Sequence, residues 1–433
     1  MKIYVHTLGC PKNEADMHVF KALALKKGHT LINVERDIDP DTLVVVDTCG
    51  FIEEAKIESI ETLLEFSQTN RVVAVGCLVQ RYYKELKDEL PELEGLIGVV
   101  SPETLLNLLE KEHYFYHPET PETVYDTCER TFTGNPFAYL KISDGCDRSC
   151  SFCAIPTFKG RHRSRSLEVI RREAEKLVSQ GIKEIILVAQ DTTAYGVDLY
   201  GRQALPELLS ELENIPGDFW IRVMYLHPDH INEAIVRSIA EGRKTLPYFD
   251  IPVQHGSDHV LKLMGRSKSR SELIDLFRHI REMNRDAVLR TTVMVGHPGE
   301  TEEDFEELKS FLATVRFDRL GAFIYSDEEG TLSYSMNDKV DRETAQRRLN
   351  EIMELQSQIA FEKNEGLIGK RLRVLVEDKR NGELIARSFM DAPEIDTEIL
   401  VISNGNGIKI EIGDFCEVEI VESLGYDLEA TLL

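Results

Sequence analysis

Three cysteines within eight residues are the part of this sequence whose types and spacing most plainly indicate chemistry. Cys146, Cys150 and Cys153 follow a Cys-x3-Cys-x2-Cys spacing in one loop, and we call them the loop trio. A structural zinc site takes four ligands, and the nearest candidate for a fourth is His162. An iron–sulfur cluster held by three cysteines keeps one iron open to another ligand. The spacing therefore predicts a catalytic iron–sulfur cluster, with a zinc knuckle or buried free thiols as the alternatives.

Three further cysteines share a position relative to predicted strands. Cys10, Cys49 and Cys77 each lie just past the carboxyl end of a β-prone run, and a helical stretch follows each one. Such alternation predicts a parallel sheet, in which right-handed crossovers place the carboxyl ends of the strands along one edge. We expect these thiols, the strand-end trio, to converge on a second cluster rather than to be three unrelated core thiols. The strands are predicted at 2–7, 42–46 and 71–75, with helices at 13–27 and 51–67.

Composition limits the possible classes of protein. The 433 residues are 42% hydrophobic and 29% charged, which is ordinary for a globular protein with two to four domains. We find no apolar run of membrane-spanning length and no signal sequence, so we expect a cytoplasmic protein without a membrane partner. Eight cysteines in a reducing compartment favour metal or redox work over disulfides. Of the remaining two, Cys128 is expected to be structural or incidental, and Cys416 is expected to be a core thiol.

The predicted architecture is α/β with three units. Residues 1–115 form the parallel-sheet βα domain, and 116–136, rich in proline and glycine, form a linker. Six βα units in 137–366 predict a partial, open βα barrel whose function lies at the carboxyl ends of its strands. Thr301 is the expected N-cap of its last helix, and 341–365 reads as an amphipathic helix. The barrel strands are predicted at 138–142, 184–189, 220–226, 248–253, 288–295 and 320–325.

The last 67 residues predict a small OB-like β-barrel of five short strands separated by Asn-Gly and Gly-Asp turns. Residues 367–433 carry seven basic and fourteen acidic side chains, and the whole chain has a net charge of −25. This charge has the wrong sign for a nucleic-acid clamp, so nucleic-acid contact is not expected to dominate. The strands are predicted at 371–377, 384–388, 398–402, 408–412 and 415–422.

The loop trio, with Phe152 just before its last cysteine, resembles the radical S-adenosylmethionine superfamily. The whole chain is similar to the methylthiotransferases, which combine an N-terminal domain with three cysteines, a radical barrel and a C-terminal TRAM domain. One branch of that family modifies adenosine in tRNA, and the other modifies an aspartate of the small-subunit ribosomal protein S-twelve. The second branch is the expectation here, and the tRNA branch is the alternative. The segments that resemble the ribosomal-protein branch are 8–13, 143–146, 188–193 and 387–396.

The resemblance implies two 4Fe-4S clusters and S-adenosylmethionine. The loop trio would hold the cluster that cleaves the cofactor to a 5′-deoxyadenosyl radical, which takes a hydrogen from the aspartate β-carbon. The strand-end trio would hold the cluster that delivers the methylated sulfur. A low-potential donor such as flavodoxin would supply electrons. The expected cofactor contacts are Phe152, Gln190, Arg222, Gln254 and Gly296.

Some of these expectations carry alternatives. Arg222, an isolated cation in an apolar strand, is expected either to pair with the cofactor carboxylate or to form a structural salt bridge. The basic cluster of Arg161, Arg163 and Arg165 with His162 is expected to meet the substrate or the donor, or else to be a solvated helix entry. His227, His255 and His297 would also suit a zinc hydrolase. A non-catalytic iron–sulfur scaffold that docks on ribosomes is the remaining alternative.

Overall fold

The structure is a computed structural model that describes residues 1–131, 134–380, 382–402 and 409–433. Its first unit contains β1 (Lys2–Thr7), α1 (Pro11–Lys26), β2 (Thr30–Ile32), β3 (Leu43–Thr48), α2 (Glu53–Ser67), β4 (Arg71–Gly76), α3 (Cys77–Glu89), β5 (Gly95–Ile97), α4 (Pro102–Glu110) and β6 (Phe115–Tyr116). These strands form a parallel sheet in the order β2-β1-β3-β4-β5-β6. Every residue of β3 is buried, as expected for a central parallel strand covered on both faces. The three predicted strands are confirmed, whereas β2, β5 and β6 were not predicted.

The second unit contains β7 (Phe137–Lys141), β8 (Ser143–Asp144), α5 (Ile155–Lys159), β9 (Arg163–Ser164), α6 (Leu167–Ser179), β10 (Glu184–Val188), α7 (Val197–Tyr200), α8 (Leu205–Glu213), β11 (Trp220–Val223), α9 (Glu233–Ala240), β12 (Tyr248–Asp250), α10 (Asp258–Leu263), α11 (Arg270–Met283), β13 (Val288–Val295), α12 (Glu302–Val315) and β14 (Arg319–Ile324). All six predicted barrel strands are present. They form two parallel three-stranded sheets, β11-β10-β7 and β12-β13-β14.

The two sheets meet between β11 and β12. The Leu226 amide donates a hydrogen bond to the Asp250 carbonyl at 2.9 Å, and Ile221 forms an isolated parallel bridge with Thr245. The six strands therefore curve as one open partial barrel, as the sequence predicted. The barrel helices begin with regular caps. Thr301 caps α12 with a complete capping box, in which its hydroxyl accepts from the Asp304 amide.

The third unit follows a long helix. It consists of α13 (Arg342–Glu365), β15 (Arg371–Arg380), β16 (Glu383–Ser388), β17 (Ile399–Ile402), β18 (Phe415–Leu424) and β19 (Asp427–Leu432). α13 packs against α12 and β14 and leads into a closed five-stranded barrel in the order β15-β16-β17-β19-β18. The predicted OB-like barrel is confirmed, but the prediction of one of its five strands was wrong. Ile408 of the predicted strand 408–412 lies outside the described residues, and 409–412 form no strand.

The fifth strand of this barrel is β19, which the sequence analysis missed. Its residues alternate buried and partly exposed and pair with β18 across the tight turn at Gly425 and Tyr426. The run 427–432 alternates aspartate and glutamate with apolar residues, a valid strand pattern at the very end of the chain. Closure of the barrel depends on this pairing, because β19 also joins β17 in parallel.

The proline-containing stretch between the first two units has no helix or strand in 117–131 and 134–136. It is nevertheless fixed by buried cations. The Lys141 ammonium donates to the Thr123 carbonyl at 2.9 Å, and Arg130 donates to the carbonyls of Ala15 and Tyr139 at 3.0 and 2.8 Å. Charged donors on backbone carbonyls are strong hydrogen bonds when buried. The stretch therefore bridges α1 and β7 rather than acting as a loose tether.

A segment of the third unit fills one side of the open barrel. Residues 389–396 follow β16, and Ala392 packs in one core cluster with Tyr139 and Tyr248 of the barrel strands. The Tyr139 and Tyr248 hydroxyls donate to Glu394 at 2.8 Å and to Asp396 at 2.5 Å. The tyrosines thus bury their rings while their hydroxyls keep partners. None of the helices in the described residues is sufficiently long and apolar to span a bilayer.

Candidate metal centres and cofactor cavity

One cavity of about 370 Å³ lies where the first unit meets the mouth of the barrel. Both cysteine trios line it. The strand-end trio contributes one wall and the loop trio another, so thiols that are up to 143 positions apart in the chain share one space. The cysteines that line it are Cys10, Cys49, Cys77, Cys146, Cys150 and Cys153. The structure brings together the two groups of residues that the sequence analysis expected to be the metal ligands.

The strand-end trio is positioned by three parallel strands. Cys10 is the N-cap of α1 after β1, Cys49 follows β3, and Cys77 is the first residue of α3 directly after β4. Gly50 lets two of these loops touch. A Cβ placed on Gly50 would lie 2.8 Å from Leu78 Cα and 3.0 Å from the Cys77 carbonyl carbon, which is closer than real Cβ atoms approach backbone. The convergence therefore depends on a glycine at this contact.

The loop trio is positioned locally, by one turn and its supports. Gly145 adopts a φ of +75°, and a Cβ there would lie 2.1 Å from the Arg161 carbonyl oxygen. The Cys146 amide donates to the Gly160 carbonyl at 3.0 Å, and the Ser151 amide donates to the Met264 carbonyl at 3.1 Å. These bonds fix the loop to α5 on one side and to α10 on the other.

Asp144, immediately before this loop, is the centre of a buried polar network. Its carboxylate accepts from the Gly145 amide at 2.9 Å, from Gln190 Nε2 at 2.6 Å, and from the ammonium groups of Lys141 and Lys159 at 3.1 and 3.4 Å. Burial opposes its ionisation, but the two lysines hold the pKa of Asp144 below its ordinary value. A fully buried carboxylate with four donors is a strong anchor for the start of the loop.

The donor chemistry of the cavity fits iron–sulfur clusters. Thiolates are the usual ligands of such clusters, and each trio leaves one position open. Among the described residues, no three His, Cys, Asp or Glu side chains lie close enough together to hold a single metal ion. Zinc bound at about 2.3 Å from each sulfur would need such a close group. A cluster several atoms wide needs thiols spread around a cavity, as they are in this structure.

Burial makes most of these thiols weak acids in the metal-free chain. It raises the pKa of Cys49 and Cys146 to about 11 and that of Cys153 to about 12, and it raises the pKa of Cys77 even further. Ligation requires thiolates, so assembly of a cluster at either trio releases protons. The pKa of a thiol does not separate a cluster ligand from an inert buried cysteine. The cavity that the six thiols share favours the cluster ligands.

The cations near the strand-end trio are two lysines. Lys12 and Lys159 both line the cavity and are more than nine-tenths buried. Lys159 comes from α5, beyond the loop trio, and acts electrostatically on Cys77 in the opposite wall. Lys12 comes from the first turn of α1, and its ammonium lies 4.5 Å from the centre of the Tyr225 ring at the end of β11. Both ammonium groups therefore cross from one unit to the other.

The cations near the loop trio are two arginines that have partners. Arg148 Nη2 lies 2.7 Å from Asp191 Oδ2, and Arg266 contacts His227 Nε2. Burial, together with Arg266, lowers the pKa of His227 to about 3, so its ring is neutral and can accept from the guanidinium. Asp191 thus balances the charge of Arg148, whereas Arg266 has a hydrogen-bond acceptor but no carboxylate partner among the described residues. Sequence reasoning did not single out Lys12, Lys159, Arg148, Arg266 or Tyr225.

Three of the five expected cofactor contacts line the cavity. Phe152, Gln190 and Gln254 are among its lining residues, and Phe152 packs against Met264 and Met294. Gln254 has a φ of +73°, and its Oε1 is buried without a hydrogen-bond partner among the described residues. A non-glycine residue with positive φ at a strand end is strained backbone of the kind found at ligand sites. Gly296 is not among the lining residues, since it packs against Ala345 of α13.

The expectation that Arg222 pairs with the cofactor is wrong in this structure. Arg222 is fully buried in β11, away from the cavity lining, and its Nε lies 2.6 Å from Glu184 Oε1. Its Nη1 also donates to the Phe389 carbonyl of the third unit at 3.0 Å. Arg387 pairs with the other oxygen of Glu184 at 2.6 Å. The structural salt bridge, which was the alternative, is the correct interpretation, because a buried guanidinium needs a carboxylate.

The basic cluster after the loop trio has two exposed members and two buried ones. Arg161 and Arg163 are exposed, but Arg165 is buried and paired with Glu173 at 2.6 Å. His162 is buried as well, with its Nε2 3.1 Å from the Ser164 hydroxyl. Only two members of the predicted cluster can therefore meet a partner at the surface. Sequence spacing did not reveal the burial of Arg165, because its partner Glu173 lies eight residues further on in α6.

The histidines at the strand ends do not form a hydrolase site. His227 contacts Arg266, His255 Nδ1 accepts from the Ser257 amide at 3.0 Å, and His297 Nε2 lies 3.2 Å from the Ser151 hydroxyl. Each ring thus has its own polar neighbour, and within the described residues the three do not form a metal-binding group. The two cysteines outside the trios lie elsewhere, with Cys128 3.6 Å from the Val169 carbonyl and Cys416 against the third-unit core.

Three family models match the chain in order. The Uncharacterized protein family UPF0004 matches residues 2–98, the Radical SAM superfamily matches 140–312, and the TRAM domain matches 368–433. The radical SAM match covers the loop trio and the barrel strands β10 to β13. Fold and cavity together therefore define a radical S-adenosylmethionine enzyme, a class that uses one 4Fe-4S cluster with S-adenosylmethionine.

The particular family follows from full-length relatives. The ribosomal protein uS12 methylthiotransferase RimO of Thermotoga sp. (strain RQ2) is 51% identical over 99% of each chain. The protein of the same name from Thermosipho africanus (strain TCF52B) is 52% identical over the full length of both chains. The chain belongs to the RimO family of radical S-adenosylmethionine methylthiotransferases. This confirms the predicted family and its ribosomal-protein branch over the tRNA branch.

Solved structures with low sequence identity share the fold. The methyltransferase TsrM from Kitasatospora setae, with cobalamin and a [4Fe-4S] cluster bound, gives a TM-score of 0.56 at 15% identity, covering 75% of this chain and 72% of that one. The cobalamin-dependent enzyme OxsB gives 0.51 at 14% identity, covering 82% of this chain and 56% of that one. At such identities the likeness is one of fold alone.

Proposed function

We propose that this protein adds a methylthio group to the β-carbon of an aspartate in the small-subunit ribosomal protein S-twelve. The observation that carries the proposal is the single cavity lined by six thiols in two trios. The names of the full-length relatives supply the substrate. A β-carbon hydrogen of aspartate is not acidic enough for a side-chain base to remove, so the reaction requires a radical.

The proposed division of labour assigns one cluster to each trio. Cys146, Cys150 and Cys153 would hold the cluster that gives one electron to S-adenosylmethionine, and the strand-end trio would hold a second 4Fe-4S cluster that supplies the sulfur. The chain's own residues position these groups. Asp144 anchors the loop, and Phe152, Gln190 and Gln254 present an aromatic face and two amides to the cofactor. Gly296 would support the neighbouring strand end from outside the cavity.

The charge of the protein supports a basic protein substrate. The net charge is −25, and the C-terminal barrel contributes seven basic against fourteen acidic residues. Ribosomal proteins are basic, so this field attracts them and repels RNA phosphates. A low-potential donor such as flavodoxin would supply electrons, with the exposed Arg161 and Arg163 available to an acidic donor. Because the substrate is part of the ribosome, we place the reaction in the cytoplasm.

We also propose the domain limits 1–115, 116–136, 137–366 and 367–433. The first unit ends after β6, the linker occupies the stretch without helix or strand, and β7 opens the barrel. α13 would then close the barrel unit, and the last barrel would begin with the turn that precedes β15. These limits place each trio in a different domain, so the cavity lies at a domain interface, where ligand sites commonly form.

The test is an anaerobic reaction of the reconstituted protein with dithionite, S-adenosylmethionine and purified ribosomal protein S-twelve. The proposal predicts release of 5′-deoxyadenosine and a mass gain equal to one methylthio group replacing one hydrogen on the protein. A parallel reaction with bulk tRNA should show no change. Methylthiolated adenosine in the tRNA, with unmodified ribosomal protein, would reverse the assignment. Absence of 5′-deoxyadenosine in both reactions would favour the non-catalytic scaffold.

A further inference from the structure

Lys12 is a buried cation that lacks an anion. It is 8% exposed and lines the cavity, and its ammonium lies over the Tyr225 ring at 4.5 Å. Within the residues that the structure describes, the ammonium has no hydrogen bond and no ion pair. A ring face offers part of the stabilisation that a desolvated cation needs, but a buried charge normally also has a counter-ion. The cavity therefore presents an unsatisfied positive charge to whatever enters it.

The start of α1 adds to this charge. Lys12 is the second residue of a 16-residue helix, and the N-cap, Cys10, makes no side-chain capping bond. A helix N-terminus carries a partial positive charge, which favours a carboxylate or another anion. Lys12 and the helix end thus favour negative charge in the same part of the cavity.

The position of Lys12 distinguishes it from the other buried lysine. Lys159 pairs with Asp144 at 3.4 Å and is the cation that acts most strongly on Cys77. Lys159 therefore already has an anionic partner. Lys12 also acts electrostatically on Cys10 of the same trio, but its ammonium has no carboxylate partner and lies over the ring of Tyr225 on the barrel side, where Tyr225 has a φ of +61°. A positive φ at a residue other than glycine is strained backbone, and such residues cluster at ligand sites.

We propose that Lys12 binds the side-chain carboxylate of the substrate aspartate, with the Tyr225 ring holding the ammonium in place. This inference rests on the proposed function and adds the group that selects the substrate side chain. A salt bridge to the carboxylate fixes the carbon next to it, which is the β-carbon that reacts. An asparagine would lose the charge, and a glutamate would move the reacting carbon by one methylene.

The experiment measures binding of peptides that span the modified aspartate, with the cluster-loaded enzyme under anaerobic conditions. The peptides carry Asp or Asn at that position, and the enzymes are wild type, Lys12→Met, Lys12→Arg and the control Lys26→Met. Lys26 is exposed at the other end of α1, about 20 Å along the helix, and its change alters charge equally. We expect the wild type and Lys26→Met to prefer the Asp peptide by about 30-fold, the range for a hydrogen bond to a charged group.

Lys12→Met should bind both peptides with equal, weak affinity, and Lys12→Arg should keep most of the preference because it keeps the charge. Lys26→Met should keep the wild-type iron content and the wild-type release of 5′-deoxyadenosine without peptide, and Lys12→Met should keep the wild-type iron content. If Lys12→Met keeps the Asp preference, the inference is overturned. It is also overturned if Lys12→Met loses iron, because Lys12 would then serve the cluster and not the substrate. A wild type that methylthiolates neither the peptide nor intact ribosomal protein S-twelve would instead overturn the proposed function.

Discussion

The two cysteine trios reach the same cavity by opposite routes. The loop trio lies within eight residues and depends on one turn at Gly145, whereas the strand-end trio spans 68 residues and depends on three strands of one sheet. The spacing of the loop already brings its three thiols close together, and bonds to Gly160 and Met264 then fix it, but the strand-end trio exists only when the sheet is folded. The spacing of the sequence therefore brings one set of ligands together, and the topology of the sheet brings the other set together.

The cations around the two trios differ in the groups that they contact. Beside the loop trio, Arg148 pairs with Asp191, and Arg266 contacts the neutral ring of His227. Beside the strand-end trio, Lys159 pairs with Asp144, and Lys12 lies over the face of the Tyr225 ring. Each wall therefore keeps one cation without a carboxylate partner among the described residues. Arg266 has a hydrogen-bond acceptor in His227, whereas Lys12 has only a ring face, so Lys12 is the cation that is free to bind an anion.

The largest effects should come from removing one ligand of each trio in turn. Cys150→Ala should abolish release of 5′-deoxyadenosine and remove one cluster's iron. Cys49→Ala should remove the other cluster's iron and abolish methylthio transfer, while 5′-deoxyadenosine is still released. Iron analysis and chromatography of the reaction products measure both. If Cys49→Ala still transfers the methylthio group, the two trios do not divide the chemistry.

Asp144 links the two walls, because it anchors the loop trio and pairs with Lys159 beside the strand-end trio. Asp144→Asn leaves the buried Lys159 ammonium without its carboxylate partner, whereas Lys141 keeps Asp16 at 2.6 Å. The loss should cost about 3 kcal/mol of unfolding free energy. Denaturant unfolding of the cluster-free protein measures the loss. The control Asp39→Asn breaks an exposed pair with Lys2 and should change stability far less. Equal losses in the two variants would show that the network does not bind the units together.

The two close-contact glycines allow each trio to be disturbed alone. Gly50→Ala should push the Cys49 and Cys77 loops apart, and Gly145→Ala should strain the loop trio, because each added Cβ meets backbone. We expect each variant to lose roughly half of the bound iron, each from a different cluster. Release of 5′-deoxyadenosine should therefore survive in Gly50→Ala and fall in Gly145→Ala. The same phenotype in both variants would mean that the two clusters assemble cooperatively, and it would contradict the independent assembly of the two trios.

Acid should destabilise the barrel side of the cavity through histidines that burial keeps neutral. Burial lowers the pKa of His255 to about 3, so below pH 6.5 the unfolded chain binds a proton that the folded chain does not. Stability is complete above pH 6.5 and is lost as pH falls toward 3, by about 1.4 kcal/mol per pH unit for one group. His255→Asn keeps an acceptor for Ser257 but cannot titrate, so denaturant unfolding at pH 6.5 and 5.5 should show a smaller acid loss than in wild type. The exposed His113→Asn should match wild type.

Much of the fold was predictable from sequence because the strands of a parallel sheet are continuous apolar runs bounded by glycine. The six barrel strands and the convergence of Cys10, Cys49 and Cys77 follow from that pattern and from the handedness of βα crossovers. Short edge elements such as β2 and β6 carry too few residues to give a periodic signal. The last strand, β19, was missed although its alternation is regular.

The site was less predictable where a side chain's direction decides its role. Arg222 lies in a barrel strand, and its side chain points away from the cavity toward Glu184 and the third unit. Both partners are distant in sequence, so the sequence does not show this direction. The positive φ of Tyr225 and Gln254 leaves no trace in the sequence, because both are ordinary strand-end residues. Lys12 lies in the segment 8–13, which resembles the ribosomal-protein branch of the family. The sequence does not show that its charge is buried without a carboxylate partner, because this depends on the folded cavity.

The most direct test of the account is electron paramagnetic resonance of the reduced, anaerobically reconstituted protein beside Cys49→Ala and Cys150→Ala. Two clusters that face one cavity should interact magnetically, so the wild-type spectrum should differ from the sum of the two single-cluster spectra, with iron equal to two four-iron clusters. A wild-type spectrum equal to that sum, or iron for one cluster only, would contradict the claim that both trios bind clusters across a shared cavity.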